Sequence, residues 1–240
     1  MAELDSLTAV YQAAMKPDPV QLPGRRSIMA RHATYAGFRA LAVTAGDADG
    51  SAPPASDDEP GGGPPRDSPR GSRPGSHPEP GRDPRREPAG GPGPIIAFSY
   101  GFRGENGQWW HDVVAAALIA RSGTQVAARW LADSLEIAEV HVHPDYQRRG
   151  IGRSLVLGLA DGRHERTAVL STQDADSPAR RLYRRLGFTD LLTGYAFPGT
   201  PVPYAVMGAE LPLAGAPPAA PPAAPGAAPP DAPRSPSPSR

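Results

Sequence analysis

The chain has 240 residues, with 25 Lys+Arg against 25 Asp+Glu, no cysteine, 27 glycines and 32 prolines. The missing cysteines exclude disulfide frameworks, thiolate metal sites and cysteine nucleophiles, and zero net charge argues against non-specific binding to a nucleic-acid backbone. No apolar run approaches the roughly 20 residues of a membrane span, and the N-terminus MAELDSLTAVYQ lacks the basic and apolar regions of a signal peptide. The default expectation is a soluble cytoplasmic domain with no membrane and no nucleic-acid partner.

Residues 50–94 hold 13 prolines and 10 glycines and no Val, Ile, Leu, Met or aromatic residue, so they cannot offset their ordering entropy by burial and are predicted disordered. The Ala/Pro-rich tail 214–240, with 10 prolines, is predicted disordered as well. The two segments take 72 residues, leaving 240 − 72 = 168 for one core. The expected organisation is a single domain over 1–213, interrupted at 50–94 by an insertion that costs little closure entropy.

In chain order, Leu4, Leu7, Val10, Tyr11 and Ala14 recur at helical spacing, and a second helix is predicted over Ser27–Ala36. Strands follow at Phe38–Val43 and Ile95–Tyr100, so the insertion reads as an overgrown hairpin connection. Trp109–Trp130 reads as helix broken near Ser122-Gly123. In the next strand the apolar alternation slips phase, from Leu135 and Ile137 to Ala138, Val140 and Val142. The slip predicts a β-bulge at Ile137–Ala138 that keeps one apolar face, with Glu136, Glu139, His141 and His143 on the other. A helix follows from about Gly152, then a strand over Arg166–Thr172. Ser177-Pro178 opens a further helix as N-cap and first residue, and Gly187 closes it with Phe188 folding back. Strands at Asp190–Phe197 and Tyr204–Leu211 complete an α/β (α+β) pattern whose last strands are expected to be antiparallel.

The loop Gln147-Arg148-Arg149-Gly150-Ile151-Gly152 lies between a strand and a helix. Glycines permit close backbone approach, the first helical amides point outward, and Arg148, Arg149 and Arg153 add charge-assisted donors, so it is a candidate anion cradle. An ordinary strand–helix turn is the alternative. Neither a nucleoside triphosphate loop nor a Rossmann loop fits its glycine spacing.

Together, Val142-His143-Pro144-Asp145-Tyr146-Gln147-Arg148-Arg149-Gly150-Ile151-Gly152-Arg153 resembles motif A of the GCN5-related N-acetyltransferases (GNAT), whose Gln/Arg-x-x-Gly-x-Gly/Ala binds the pyrophosphate of acetyl-coenzyme A. Downstream, Asp176-Ser177-Pro178-Ala179-Arg180-Arg181-Leu182-Tyr183-Arg184-Arg185-Leu186-Gly187-Phe188 is similar to the family's Asn-x-x-Ala-x-x-Leu-Tyr-x-x-x-Gly-Phe segment. The motif-rich likeness covers about 135–190. It implies a GNAT fold, a mixed and mostly antiparallel central sheet with a bulged, splayed strand pair flanked by helices. It also implies acetyl-coenzyme A as co-substrate. The pantetheine arm would take backbone hydrogen bonds from Val140, His141 and Val142, and phosphates would meet Gln147, Arg148, Arg149, Gly150, Ile151, Gly152 and Arg153. Asp176 stands where the family has a cofactor-contacting asparagine, which changes that contact.

Acetyl transfer to an amine needs a proton taken from the amine, donors for the charge on the acyl oxygen, and a proton for the thiolate. By resemblance, Tyr183 is the candidate acid, its alternative being a core residue of the helix stripe. Glu136 is the first candidate base by likeness to histone acetyltransferases and Glu139 its rival, while some family members use only water. Ser171 replaces the glutamate base of ribosomal-protein acetyltransferases. Trp109 and Trp110 either wall an acceptor pocket or start a hydrophobic helix. Arg180, Arg181, Arg184 and Arg185 either reach coenzyme phosphates or form a solvated face. His141 and His143 share a strand face without a third ligand at clear spacing, so no metal is expected. The expected activity is direct acetyl transfer to a small-molecule or peptide amine, and the alternative is a catalytically idle acyl-coenzyme A-binding module.

Overall fold

The computed structural model describes residues 2–50, 93–200 and 202–216. Nearly all of the insertion and tail predicted above lie outside the described residues. Helix α1 spans Ala2–Met15 and α2 Leu22–His32, followed by strand β1 (Arg39–Thr44), a short α3 (Ala45–Gly50) and β2 (Ile95–Arg103). Helices α4 (Trp109–Ser122) and α5 (Thr124–Leu131) precede β3 (Ser134–Val142), α6 (Ile151–Ala160), β4 (Thr167–Gln173), α7 (Pro178–Arg185), β5 (Thr189–Ala196) and β6 (Pro203–Glu210).

The six strands form one sheet in the order β1-β2-β3-β4-β6-β5. Every neighbouring pair is antiparallel except β3 and β4, which run parallel. This is the mixed, mostly antiparallel architecture expected. β1 and β2 are antiparallel neighbours, and the Ala45 N–H donates to the Pro94 carbonyl at 3.0 Å, so the long segment between them does connect a hairpin. Gly123, at φ 89°, separates α4 from α5 where the break was predicted.

Helices cover both faces of the sheet, and strand alternation sorts the core between them. Leu135, Ile137, Ala168, Leu170 and Met207 pack with Val156 and Leu159 of α6 and Tyr183 of α7. On the opposite face Val169, Leu192 and Val206 meet Val114 and Leu118 of α4 and Leu131 of α5. Beside them on that face, Phe98, Tyr100 and Phe102 of β2 pack against Val10, Tyr11 and Met29 of α1 and α2.

One expectation is corrected. The second helix occupies Leu22–His32 instead of Ser27–Ala36, because Pro23 sits in its first turn, where a missing N–H is harmless. A 3₁₀ turn at Pro19–Gln21 leads into it, with the Asp18 side chain accepting from the Val20 N–H. The polar face of β3 is not an outer surface: Glu136, Glu139 and His141 are buried on it, on the side covered by α1 and α2. The alternation correctly marked two unlike faces, but both are covered.

Candidate functional site

The parallel strands separate early. β3 and β4 pair only through Ser134–Glu136 with Thr167–Val169, and beyond that point they are not paired. At the same level Tyr100 faces Glu139 while Gly101 faces Ile137, so Ala138 is the extra residue of a bulge. Its side chain packs toward Phe98 and Tyr100 on the α1/α2 face, whereas the phase slip had assigned it to the side of Leu135 and Ile137. Gly101 is required opposite the bulge, since a Cβ there would lie 2.6 Å from the Glu136 carbonyl oxygen.

The His143 N–H donates to the Ile96 carbonyl at 2.8 Å, toward β2. Successive residues of a strand turn their backbone groups to opposite sides. Val140 and Val142 therefore direct theirs into the gap beside β4, and His141 directs its own to β2. The Gln147 side-chain amide donates to the Val142 carbonyl at 3.0 Å, bracing the loop against the gap.

Glu136 occupies the last parallel pair, opposite Val169, and is only 4% exposed. Its Oε2 is buried without a hydrogen-bond partner among the described residues. Burial pushes its carboxyl up to about 8, so near neutral pH this group holds or releases a proton readily. Glu139 is differently placed. Arg25 of α2 donates to it at 2.8 Å, and His141 Nε2 contacts its other oxygen. Tyr11 stacks edge-on against His141, and Arg25 lies over the Tyr11 ring. The rival carboxylate thus belongs to a closed ion-paired network, while Glu136 has none.

The loop after β3 has the backbone of a cradle. Arg148 adopts φ 67° and Gly150 φ 81°, and nothing lies within 4 Å of where a Gly150 Cβ would stand. The left-handed arginine is unfavourable by roughly 1–2 kcal/mol, a strain that glycine would relieve. The Ser154 N–H is bonded to the Gly150 carbonyl, so the amides of Ile151, Gly152 and Arg153 precede the first helical bond and point outward. Arg149 lies over the Tyr146 ring at 5.0 Å, and Arg153 donates to the Gly215 carbonyl at 3.2 Å. The Arg148 side chain is exposed. The arrangement fits a diphosphate, with open space before a glycine, free helical amides and three arginines around them.

Helix α7 presents Tyr183 to the α6 side of the sheet, where its ring lies 5.8 Å from Phe188. Burial, with the Glu139 charge adding, pushes its phenol up to about 12. The hydroxyl has no hydrogen-bond partner among the described residues, so it is a protonated donor. Arg180, only 7% exposed, contacts Asp174 and lies 3.0 Å from Asp190, which Arg184 also holds at 3.0 Å. These two arginines anchor α7 to β5; Arg180 is thereby buried, whereas Arg181, Arg184 and Arg185 lie on the exposed face that was one of the two alternatives. Asp176 pairs with Arg181 at 2.7 Å.

Across the gap, Trp110 Nε1 donates to Ser171 Oγ at 3.1 Å, two residues past the last parallel pair. Trp109 beside it is 57% exposed, with its ring 6.0 Å from Phe197. A separate open cleft of about 660 Å³, bounded by Arg39, Arg103, Arg163 and His164, lies at the opposite end of β3. Arg163 is engaged there by Glu165 and the Gly37 carbonyl, and Arg103 by Asp133. Among the described residues no cluster of three or more His, Asp or Glu could hold a metal ion, and no helix is long and apolar enough to cross a membrane.

Comparison with known proteins follows the same region. Residues 106–190 match the family model of the acetyltransferase (GNAT) domain. The chain is 41% identical over 124 residues to the GCN5-like protein acetyltransferase Rv2170 of Mycobacterium tuberculosis, over 50% of this chain and 60% of that protein. A solved GNAT-family protein from Desulfovibrio desulfuricans superposes over 87% of this chain and 92% of its own with 12% identity and a TM-score of 0.48. The ribosomal-protein-S18-alanine N-acetyltransferase of Escherichia coli does so over 49% and 63% with 22% identity and a TM-score of 0.33. By its two motifs, the family-model match and the 41%-identical relative, the stretch 106–190 is similar to the GNAT acetyltransferase domain.

Proposed function

We propose that the chain is an acetyl-coenzyme A-dependent N-acetyltransferase that moves the acetyl group directly to an amine, with residues 1–213 as one catalytic domain. The observation that carries this reading is the bulged gap between β3 and β4, ending on an orphaned buried carboxylate and opening beside the Gly150 loop. Acetyl-coenzyme A supplies the activated acyl thioester. Within the proposal the amides of Ile151, Gly152 and Arg153, with Gln147, Arg148 and Arg149, hold its diphosphate. Val140 and Val142 offer backbone groups to the pantetheine arm, and the neighbouring strand amides stabilise charge on the acyl oxygen. Asp176 borders the cofactor through its pair with Arg181.

Glu136 takes the proton from the incoming ammonium, and Tyr183 returns one to the departing thiolate. Glu139 and His141 act one step back, fixing α2 against β3. Tyr183→Phe is expected to lower kcat roughly tenfold or more while leaving cofactor affinity within about twofold. A kcat unchanged at every pH would remove Tyr183 from the chemistry.

Calorimetric titration with acetyl-coenzyme A tests the core of the reading. Gly150→Glu places a carboxylate in the cradle and forces a side chain to φ 81°. The variant is expected to bind at least about tenfold more weakly, with its melting temperature showing that it is folded. Equal affinity would move the cofactor away from this loop.

A further inference from the structure

Acylation of an ammonium releases one net proton, and in the reading above that proton is left on a buried carboxyl. The ammonium gives a first proton to Glu136, its nitrogen bonds the acetyl carbon, and the C–S bond breaks. Tyr183 protonates the sulfur and is refilled by the second nitrogen proton. Glu136 must then shed its proton to water before the next turnover. It is 4% exposed, and its Oε2 has no hydrogen-bond partner among the described residues.

The β2–β3 register shows which side chains stand beside it. Phe102 faces Glu136 and Tyr100 faces Glu139, so Tyr100 is the diagonal neighbour of Glu136 on the side covered by α1 and α2. Diagonal cross-strand neighbours lie about 7–8 Å apart, within reach of long side chains. Tyr100 is 2% exposed, and its Oη lies 3.1 Å from Nδ1 of His32. His32 belongs to the last turn of α2 and is half-buried, its ring centred 4.9 Å from Phe102 and 5.8 Å from Tyr100. A buried hydroxyl beside Glu136 is thus joined to an imidazole at the edge of the fold.

The surrounding charges suit the passage of a proton. Burial holds His32 below its ordinary value; the Glu139 charge opposes this, and Arg25 and Arg31 add to it. The ring is therefore neutral near pH 7, with a nitrogen able to accept. Burial also pushes the Tyr100 phenol up, the Glu139 and Glu136 charges adding and Arg25 opposing, so it relays a proton without ionising. Arg25 is held by Glu139 and lies over Tyr11 of α1, and His141 contacts Glu139 as well. These neighbours engage one another and leave the Tyr100 hydroxyl to His32.

Resting on the acetyltransferase reading, we infer that Tyr100 and His32 form the exit by which the Glu136 proton reaches solvent. Glu136 passes its proton to Tyr100 Oη, directly or through one water, as the Tyr100 hydroxyl proton moves to His32 Nδ1. The imidazolium releases its Nε2 proton to water and regains the starting tautomer by exchange with solvent. Both residues act through Glu136 and touch neither the acceptor nor the thioester.

The test follows thiol release from acetyl-coenzyme A by the full chain, with an N-terminally blocked peptide carrying one lysine and with water alone. In dilute buffer His32→Gln is expected to lower kcat about tenfold. Its inflection should stay at about pH 8, and calorimetric affinity for acetyl-coenzyme A should stay within about twofold. Added imidazole, entering beside the shortened side chain, should restore the rate while leaving the wild type unchanged. Tyr100→Phe keeps the ring and should show the same loss without rescue, because the interrupted step is buried. An unaltered kcat in either variant would send the proton out through the β3–β4 gap and overturn the inference. A His32→Gln loss that imidazole cannot repair would reduce His32 to packing, and a displaced inflection would mean that the pair shapes Glu136 instead of draining it. Thiol release by the wild type no faster than by Glu136→Gln would instead defeat the catalytic reading beneath the relay.

Discussion

Glu136→Gln is expected to lower kcat about a hundredfold, with acetyl-coenzyme A affinity nearly unchanged. The side chain ends the paired part of β3, 4% exposed, with an oxygen that no other group engages. A carboxyl held at about 8 is half-ionised close to working pH. It is also closer in proton affinity to an amine of pKa near ~10 than an ordinary carboxylate is. Wild-type kcat should therefore rise with pH up to about 8 and level above it, and the variant should lose that limb. A variant that keeps both the wild-type rate and its pH profile would assign proton removal to solvent.

The same burial has a stability consequence of definite sign. The folded state binds the Glu136 proton more tightly than the unfolded chain does. The contribution is thus fully present below the ordinary value of 4.5 and is lost as pH rises through about 8. Thermal melts should show Glu136→Gln gaining on the wild type between pH 6 and pH 9. A constant difference across that range would mean that the carboxylate is solvated in the folded protein.

Gly101→Ala is expected to destabilise the fold by about 3 kcal/mol, a fall in Tm of about 8 °C for a domain of this size. The added Cβ would stand 2.6 Å from the Glu136 carbonyl oxygen and 3.4 Å from Ile137 Cα, both parts of the β3 backbone. Backbone atoms in a paired strand cannot rotate away as a side chain can, so either the bulge shifts or the β2–β3 ladder parts. Differential scanning calorimetry checks the magnitude. A melt within about 1 °C of wild type would show that the bulge is adaptable.

Sequence reasoning reached the bulge because two adjacent apolar residues, Ile137 and Ala138, interrupted an alternating strand. It misassigned the side of Ala138 because both faces of β3 are covered, and an alternation pattern separates unlike faces without telling which helices lie over them. The open approach at Gly150 was legible from the loop's glycine spacing, but its left-handed φ of 81° was not. Nor was Arg148 at φ 67°, since arginine carries no local signal for that conformation. Ser177 and Pro178 at the start of α7 stood where their chemistry placed them, with Ser177 Oγ accepting from the Arg180 N–H at 3.1 Å.

Contacts between distant segments were invisible. Arg25 meets Glu139 from 114 residues away, and Trp110 meets Ser171 from 61. Nothing local in either sequence window distinguishes a paired carboxylate from a free one, so the two candidate bases separated only once α2 was seen lying over β3. The arginines of α7 show the same limit, because their partners Asp174 and Asp190 lie outside the helix.

The three-residue parallel pairing also makes the sheet mechanically two leaves. β1-β2-β3 and β4-β6-β5 are each knitted by long antiparallel ladders, but among the described residues β3 and β4 pair only through Ser134–Glu136 and Thr167–Val169, with the Arg166 and Thr167 N–H groups donating to the Asp133 carbonyl just before them. What keeps the leaves together is chiefly the apolar layer beneath α6 and α7, which takes side chains from both. A pull that separates the termini of β3 and β4 would therefore tear this seam before either leaf unravels. Amides at the seam should exchange with solvent at a free energy below that of the leaves on either side.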